Sequence, residues 1–391
     1  MSFRVPNIGL SGYSGSEETL QVKVETRPQV VGARLRKFRE KMGFSLEAIA
    51  GSSQVTLVEL EQIERGAIPA SAWQLHRIAQ ALGTGPDLFV SAAGVGQDPS
   101  RAPARFRTAG GASVAPEDLR LLSLASEAGR VGRGLMALLG RRTHPALKPG
   151  RVPFQTRLED WEQGSKLGEQ ARQNLLSDPV GPFVSVQGSL EQIGVHVAFV
   201  TFKDTAIEGA SIYEEDALPV ILLNRASEKA ISPRMRRVLL AHELGHLLCD
   251  AREGHIVTMV TRRDADLTQR EERRANAFAP SFLAPPSWLS PRDPSVLGPL
   301  LVDRWGFTAE GAAWHAKNIC RLTESRTFEL MDDLRNRGPY PPLDEEVTRV
   351  ERTLPMEPGS LTRGLISELV REAMERELLS RQRAIEILEM A

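Results

Sequence analysis

The stretch Ala241-His242-Glu243-Leu244-Gly245-His246 constrains this chain more than any other, because it reads HExxH inside a run of leucines. Leu239, Leu240, Leu244, Leu247 and Leu248 supply the apolar sides of a helix. On that helix, a spacing of four puts His242 and His246 one turn apart on one face, where both imidazoles reach a single ion. Glu243 projects beside them, placed to activate a water rather than to bind the metal. Gly245 costs helix stability, and its presence predicts the close approach of another backbone. Two His and one Glu at these offsets arise by chance about once per hundred chains of this composition, so a pair of packed histidines stays open until a third ligand is found.

Catalytic zinc commonly takes three protein ligands and a water, and a carboxylate from a following helix completes many such sites. The run from Glu271 to Ala279 offers two carboxylates. Glu272 and Asn276 lie four apart on a helix whose other face carries Ala275, Phe278, Ala279 and Phe282. Glu271 points about 100° away on the same helix, so only one of the two carboxylates faces the ion. For an oxyanion stabiliser the candidates are Tyr213 and His255, and Cys249 reads as a small buried thiol.

A length of 391 residues implies several domains, and 41% hydrophobic with 25% charged residues excludes wholesale disorder. With 49 Lys and Arg against 50 Asp and Glu, the net charge of −1 excludes a surface that coats nucleic acid or an anionic membrane over most of its area. A single basic face remains open. Two cysteines give no disulfide framework, and no apolar run has signal-peptide or bilayer length, so a cytoplasmic protein without a membrane partner is expected.

Along the chain, residues 1–30 read as a tail. Short amphipathic helices are expected over 31–42, 45–50, 56–64, 71–82 and 86–92, and a Pro/Gly-rich linker follows. A helix at 117–140 carries an apolar stripe. Residues 101–151 hold ten basic and three acidic side chains, an excess of +7 that reads as a solvated face or a domain contact ahead of a nucleic-acid contact. Strand text appears at 195–202, 210–213 and 220–223, and helices at 156–176, 233–249 and 268–282. Residues 364–389 read as one or two helices packing on the rest of the chain or on a second copy, which would make a homodimer.

Three strings in residues 156 to about 330 resemble the ImmA/IrrE family of zinc metallopeptidases. They are Arg237-Val238-Leu239-Leu240-Ala241-His242-Glu243-Leu244-Gly245-His246, the block from Glu272 through Ala275, Asn276, Phe278 and Ala279 to Leu283-Ala284-Pro285, and Val220-Ile221-Leu222-Leu223-Asn224. The resemblance implies a thermolysin-like α+β domain in which His242, His246 and Glu272 bind Zn2+ and Glu243 is the catalytic general base. Asn276 would then support the ligands by hydrogen bonding from behind. It also implies a protein substrate, a helix-turn-helix repressor, cut in a stress or mobile-element response.

Residues 31–90 resemble the XRE (Cro/CI-like) helix-turn-helix family, on Val31-Gly32-x-Arg34-Leu35-Arg36-x-Phe38-Arg39, Ser45-Leu46-Glu47-Ala48-Ile49-Ala50, Ile63-Glu64-Arg65-Gly66 and the run Leu75 to Gly83. In that fold the third helix enters the major groove. Here it carries Leu57 and Val58 where polar side chains usually read bases, and Glu59, Glu61 and Glu64 oppose phosphates. Candidate DNA contacts are therefore Arg34, Arg36, Lys37 and Arg39 of the first helix, with Gln62 on the third. A protein-interaction domain that has lost the groove chemistry is the rival reading.

The expected architecture is multidomain and mainly α with a small β-sheet. It comprises a helix-turn-helix bundle (31–92), a linker with a basic helix (93–150), an HExxH peptidase domain (151–335) and a helical C-terminal extension (336–391). The alternative function is an XRE-type DNA-binding regulator whose peptidase-like domain senses a ligand or metal without proteolysis.

Overall fold

The computed structural model describes residues 27–41, 44–82, 85–90, 115–176, 179–214, 216–251, 257–261, 270–290, 292–338 and 361–389. The tail read at 1–30 and the linker at 93–114 lie almost wholly outside the described residues, as does His255. No helix among the described residues is long and apolar enough to cross a membrane.

Five short helices come first: α1 (Pro28–Lys41), α2 (Leu46–Ser53), α3 (Leu57–Glu64), α4 (Ala72–Ala81) and α5 (Asp87–Val90). Side-chain caps set their starts. Ser45 accepts the Ala48 N–H, while Thr56 with Glu59 and Ser71 with Gln74 form reciprocal capping boxes. Leu35, Phe38, Ile49, Leu60, Ile63, Ile78 and Phe89 fill one core. Helices α1 and α3 cross so closely that a Cβ on Gly32 would lie 2.1 Å from the Ile63 carbonyl oxygen.

A mixed sheet forms the centre of the remainder, with β1 (His196–Val200), β2 (Ile207–Ile212), β3 (Val220–Asn224) and β4 (Val257–Thr261) in the order β1-β3-β2-β4. β1 runs parallel to β3, and β2 is antiparallel to both β3 and β4. Every residue of the first three strands is buried, which fits the apolar text of β1 and β3, while in β2 the buried Glu208 pairs with Lys229. The fourth strand was not expected from the sequence; it lies between the two motif helices.

Helix α6 (Pro116–Leu138) covers one face of the sheet. Its Leu122, Ala125, Ala128 and Leu135 share a core with Ala198, Val200, Ala210, Val220 and Leu222. The C-terminal helices join this core, through Leu365, Ile366 and Leu369 and through Ala384 and Ile387. The helix expected at 117–140 is present as α6. The apolar stripe of the helix is one wall of the sheet's core, and the Gly129 carbonyl accepts the Leu218 N–H at 2.9 Å. The charge excess read over 101–151 lies outside this helix, which itself carries Arg120, Arg130 and Arg133 against Glu117, Asp118 and Glu127.

The opposite face of the sheet carries α7 (Asp160–Leu175), α8 (Val186–Gln192), α9 (Glu228–Ile231), α10 (Pro233–Cys249), α11 (Arg270–Leu283), α12 (Pro294–Asp303), α13 (Ala309–Cys320) and α14 (Glu324–Asn336). The C-terminal helices are α15 (Leu365–Glu375) and α16 (Arg381–Leu388). Helices α7 and α11 pack closely: a Cβ on Gly164 or Gly168 would lie 2.1 Å from the Arg274 carbonyl or 2.3 Å from that of Phe278. Two glycines four apart on α7 let α11 lie against it, and this fixes where Glu272 points.

Candidate functional site

Helix α10 starts at Pro233, a favoured first helical residue, and is buried on nearly every side. Three buried arginines in its first turns anchor it through main-chain carbonyls: Arg234 to Val302 and Phe307, Arg236 to Ala230 and Ile231, and Arg237 to Phe183. Gly245 faces the Phe278 ring, with an added Cβ only 3.1 Å from a ring carbon. The close approach predicted there is thus made by an aromatic side chain, not by a backbone.

Two turns of α10 and the first turn of α11 bring three side chains together. The Nε2 atoms of His242 and His246 are 3.0 Å apart, and the Glu272 carboxylate lies 3.3 Å from the first and 3.2 Å from the second. All three are buried, with relative exposures of 6%, 1% and 5%. His246 is oriented from behind: its Nδ1 lies 2.8 Å from Asp250 Oδ2, a contact that turns Nε2 toward the cluster and, in the neutral ring, would hold the proton on Nδ1. Asp250 is held in turn by Arg274, whose guanidinium also donates to the carbonyls of Cys249 and Val152. The Phe154 ring lies 4.1 Å beneath that guanidinium.

Electrostatics follow from burial and pairing. Burial pushes the His242 imidazole down, whereas for His246 the carboxylates of Asp250 and Glu272 outweigh burial and raise it. Burial acts to raise the Glu272 carboxyl, but hydrogen bonds from His242 and His246 win and hold it below the usual carboxylate range. Glu243 is fully buried against β2, and burial lifts its carboxyl to about 7. The Ser211 hydroxyl donates to its Oε2, and Gly209 leaves room for its Oε1, which a Cβ would approach to 2.5 Å. That Oε1 has no hydrogen-bond partner among the described residues.

Sequence reasoning did not name Asp250, Arg274, Ser211 or Gly209. Asp250 had a signal, since it stands one turn beyond His246 on the same face; the others are brought in by tertiary packing alone. Asn276, expected to support the ligands, is exposed and makes no hydrogen bond to them, and Asp250 takes that place. Glu271 is not part of the cluster. Cys249 is buried, and burial pushes its thiol up to about 12, so it stays protonated.

The helix-turn-helix residues separate into several kinds. Arg39 is buried and forms a two-pronged ion pair with Glu64 at 2.7 and 2.8 Å, so its assignment as a DNA contact is corrected: it ties α1 to α3. Arg34 donates to the Phe89 carbonyl, and Arg36 pairs with Glu40. Lys37 and Gln62 are exposed. Glu59 caps α3 and Glu61 pairs with Arg65, while Leu57 and Val58 remain exposed by 41% and 62%.

Against models of protein families, residues 190–294 match the IrrE N-terminal-like domain and residues 30–90 a helix-turn-helix domain. The chain thus carries one segment similar to a helix-turn-helix domain and another similar to the IrrE N-terminal-like domain. No curated protein and no solved structure matches it. The IrrE-like segment contains all four strands, α10 and α11, and hence every residue of the cluster. The cluster meets the demands of the zinc such peptidases use. It offers two imidazole nitrogens and a carboxylate, all within 4.8 Å of one another. Ligand atoms around a tetrahedral ion with arms of about 2.1 Å lie roughly 3.4 Å apart, close to the separations found here.

Proposed function

We propose that this chain is a regulatory zinc-dependent endopeptidase that cuts a specific protein, a helix-turn-helix repressor, in a stress or mobile-element response. The reading rests on the convergence of His242, His246 and Glu272 beside a buried Glu243 whose one oxygen has no protein partner. His242, His246 and Glu272 would hold the ion, and Asp250 would keep His246 in the tautomer that binds it. Bound zinc supplies Lewis acidity, which eases deprotonation of water and polarises the scissile carbonyl. Glu243 accepts the proton of the attacking water and delivers it to the leaving amine. Its environment suits both halves of that task, because burial brings its proton affinity near neutrality while the Ser211 hydroxyl fixes one oxygen and leaves the other to accept.

One observation favours a second reading, a regulator that senses a metal without proteolysis: the three ligands are at most 6% exposed and Glu243 is not exposed at all. Co-expression separates the two. A helix-turn-helix repressor expressed with the wild-type chain should appear as two fragments, and with Glu243→Gln it should stay whole while the variant keeps one zinc per chain. An intact repressor beside the zinc-loaded wild type would remove the peptidase reading and leave the sensor.

A further inference from the structure

The helix-turn-helix domain meets the sheet-bearing body where α2 and α4 pack on α6. One arginine comes from each side of this seam, Arg77 from α4 and Arg120 from α6, and both are half-buried. Arg77 Nε donates to the Ser53 carbonyl at the end of α2, at 3.2 Å. Its Nη2, however, is buried with no hydrogen-bond partner among the described residues, and so is Nε of Arg120. The two charges also act on each other. Burial and then the charge of Arg77 push the Arg120 guanidinium down, and among the described residues no carboxylate offsets them.

Arg237 and Arg274 also carry buried guanidinium nitrogens with no hydrogen-bond partner among the described residues, so what sets the seam apart is the like charge across it. Arg39 faces Glu64, Arg274 faces Asp250 and two carbonyls, and Arg172 donates to the carbonyls of Pro179, Gly181, Phe282 and Leu283. Neighbouring acids are not available to the seam. Glu117 pairs with Lys203, and Asp118 accepts the main-chain N–H groups of Lys203 and Asp204. Two like charges with orphaned, buried N–H groups are costly unless an acceptor lies between them.

We propose that the α4–α6 seam is a binding site for a small phosphate-type oxoanion, gripped by Arg77 and Arg120. Such an anion presents several acceptor oxygens to forked donors, which is the geometry guanidinium groups complement best. The orphaned N–H groups belong to helices that pack on each other across the seam. A DNA duplex would instead meet α3, which displays Leu57 and Val58. Because the two arginines come from different domains, the bound anion fastens the helix-turn-helix domain to the peptidase-like body.

The test is titration of the full-length chain with sodium phosphate at constant ionic strength, followed by calorimetry and by thermal melting. The wild type should bind one phosphate, and Arg77→Gln and Arg120→Gln should each bind at least tenfold more weakly. Without phosphate, Arg120→Gln should melt no lower than the wild type, because an unmatched charge has gone; this also establishes that the variant folds. Glu272→Ala, which lacks a metal ligand, should keep the phosphate response in full. Absence of saturable binding, equal binding by the arginine variants, or loss of the response in Glu272→Ala overturns the proposal. Duplex DNA that binds through these arginines while free phosphate does not would overturn it too and assign the seam to a DNA backbone.

Discussion

On the facing surfaces of α10 and α11, ionisable side chains point at one another. On α3, every carboxylate is matched by a neighbour in its own domain. His242, His246 and Glu272 converge, with Asp250 and Arg274 behind them. On α3, Glu59 closes a capping box, Glu61 pairs with Arg65 and Glu64 pairs with Arg39. Both regions bury charge, and buried charge needs partners in either case. The difference lies in what those partners leave over. In the peptidase-like domain the partners leave two imidazole nitrogens and a carboxylate directed at one point. In the helix-turn-helix domain they leave Leu57 and Val58 as the outward face of the helix that would read bases.

The largest effect should come from breaking the convergence. Glu272→Ala removes one of three candidate ligands, and the remaining two imidazoles cannot hold zinc through dialysis; metal analysis should fall from one ion per chain to near none. A variant that retains one zinc per chain would show that the ion sits elsewhere, and the contrast with α3 would disappear.

Next in size is the buried pair of the helix-turn-helix domain. Arg39→Ala leaves Glu64 buried without its partner, which should cost the domain about 3–5 kcal/mol in denaturant unfolding. The joint replacement Arg39→Met with Glu64→Leu should recover most of this, because the charge penalty goes with the charges. If Arg39→Ala instead unfolds like the wild type and loses only DNA affinity, Arg39 is a surface contact and the ion pair is not structural.

These two variants also mark where the sequence was readable. Helix α10 begins and ends at the expected residues because a proline opens it and its apolar pattern runs without interruption to Cys249. The helix-turn-helix bounds fall within a few residues of expectation because Ser45, Thr56 and Ser71 declare their caps locally. What stayed hidden depends on distant partners. Nothing in the text beside Arg39 reveals Glu64, twenty-five positions on, as its partner, so the arginine read as a free cation. Arg274 could not be tied to Asp250, nor Ser211 to Glu243, until β2 and α11 were docked on α10. Helix α6 was legible as a helix but not as a wall of the sheet, since an apolar stripe does not name the surface it covers.

A smaller effect is expected one layer behind the ligands. Asp250→Asn keeps the shape but removes the charge that sets the His246 tautomer, so zinc should bind roughly 10–100-fold more weakly, about 1.4–2.7 kcal/mol. Competition against a chromophoric chelator measures this directly. Affinity equal to that of the wild type would mean that packing alone orients His246, and that the Asp250–Arg274 pair serves only to join α10 to α11.

The smallest effects belong to the exposed polar residues of the helix-turn-helix domain, and they probe the comparison from its other end. If the domain touches DNA, Lys37 can meet a phosphate from the outer face of α1, and Gln62 is the polar side chain that α3 exposes. Lys37→Ala should weaken duplex binding at low salt by less than tenfold and lower the salt slope by about one, alike for every sequence. Gln62→Ala should leave the ranking of sequences unchanged, because the first turn of α3 offers Leu57 and Val58, which form no hydrogen bonds to base edges. A mobility-shift series over several duplexes and salt concentrations decides the matter. A Gln62→Ala chain that relaxes its preference at one base pair would show that α3 reads sequence despite its apolar first turn, and the contrast drawn with α10 and α11 would then be one of degree.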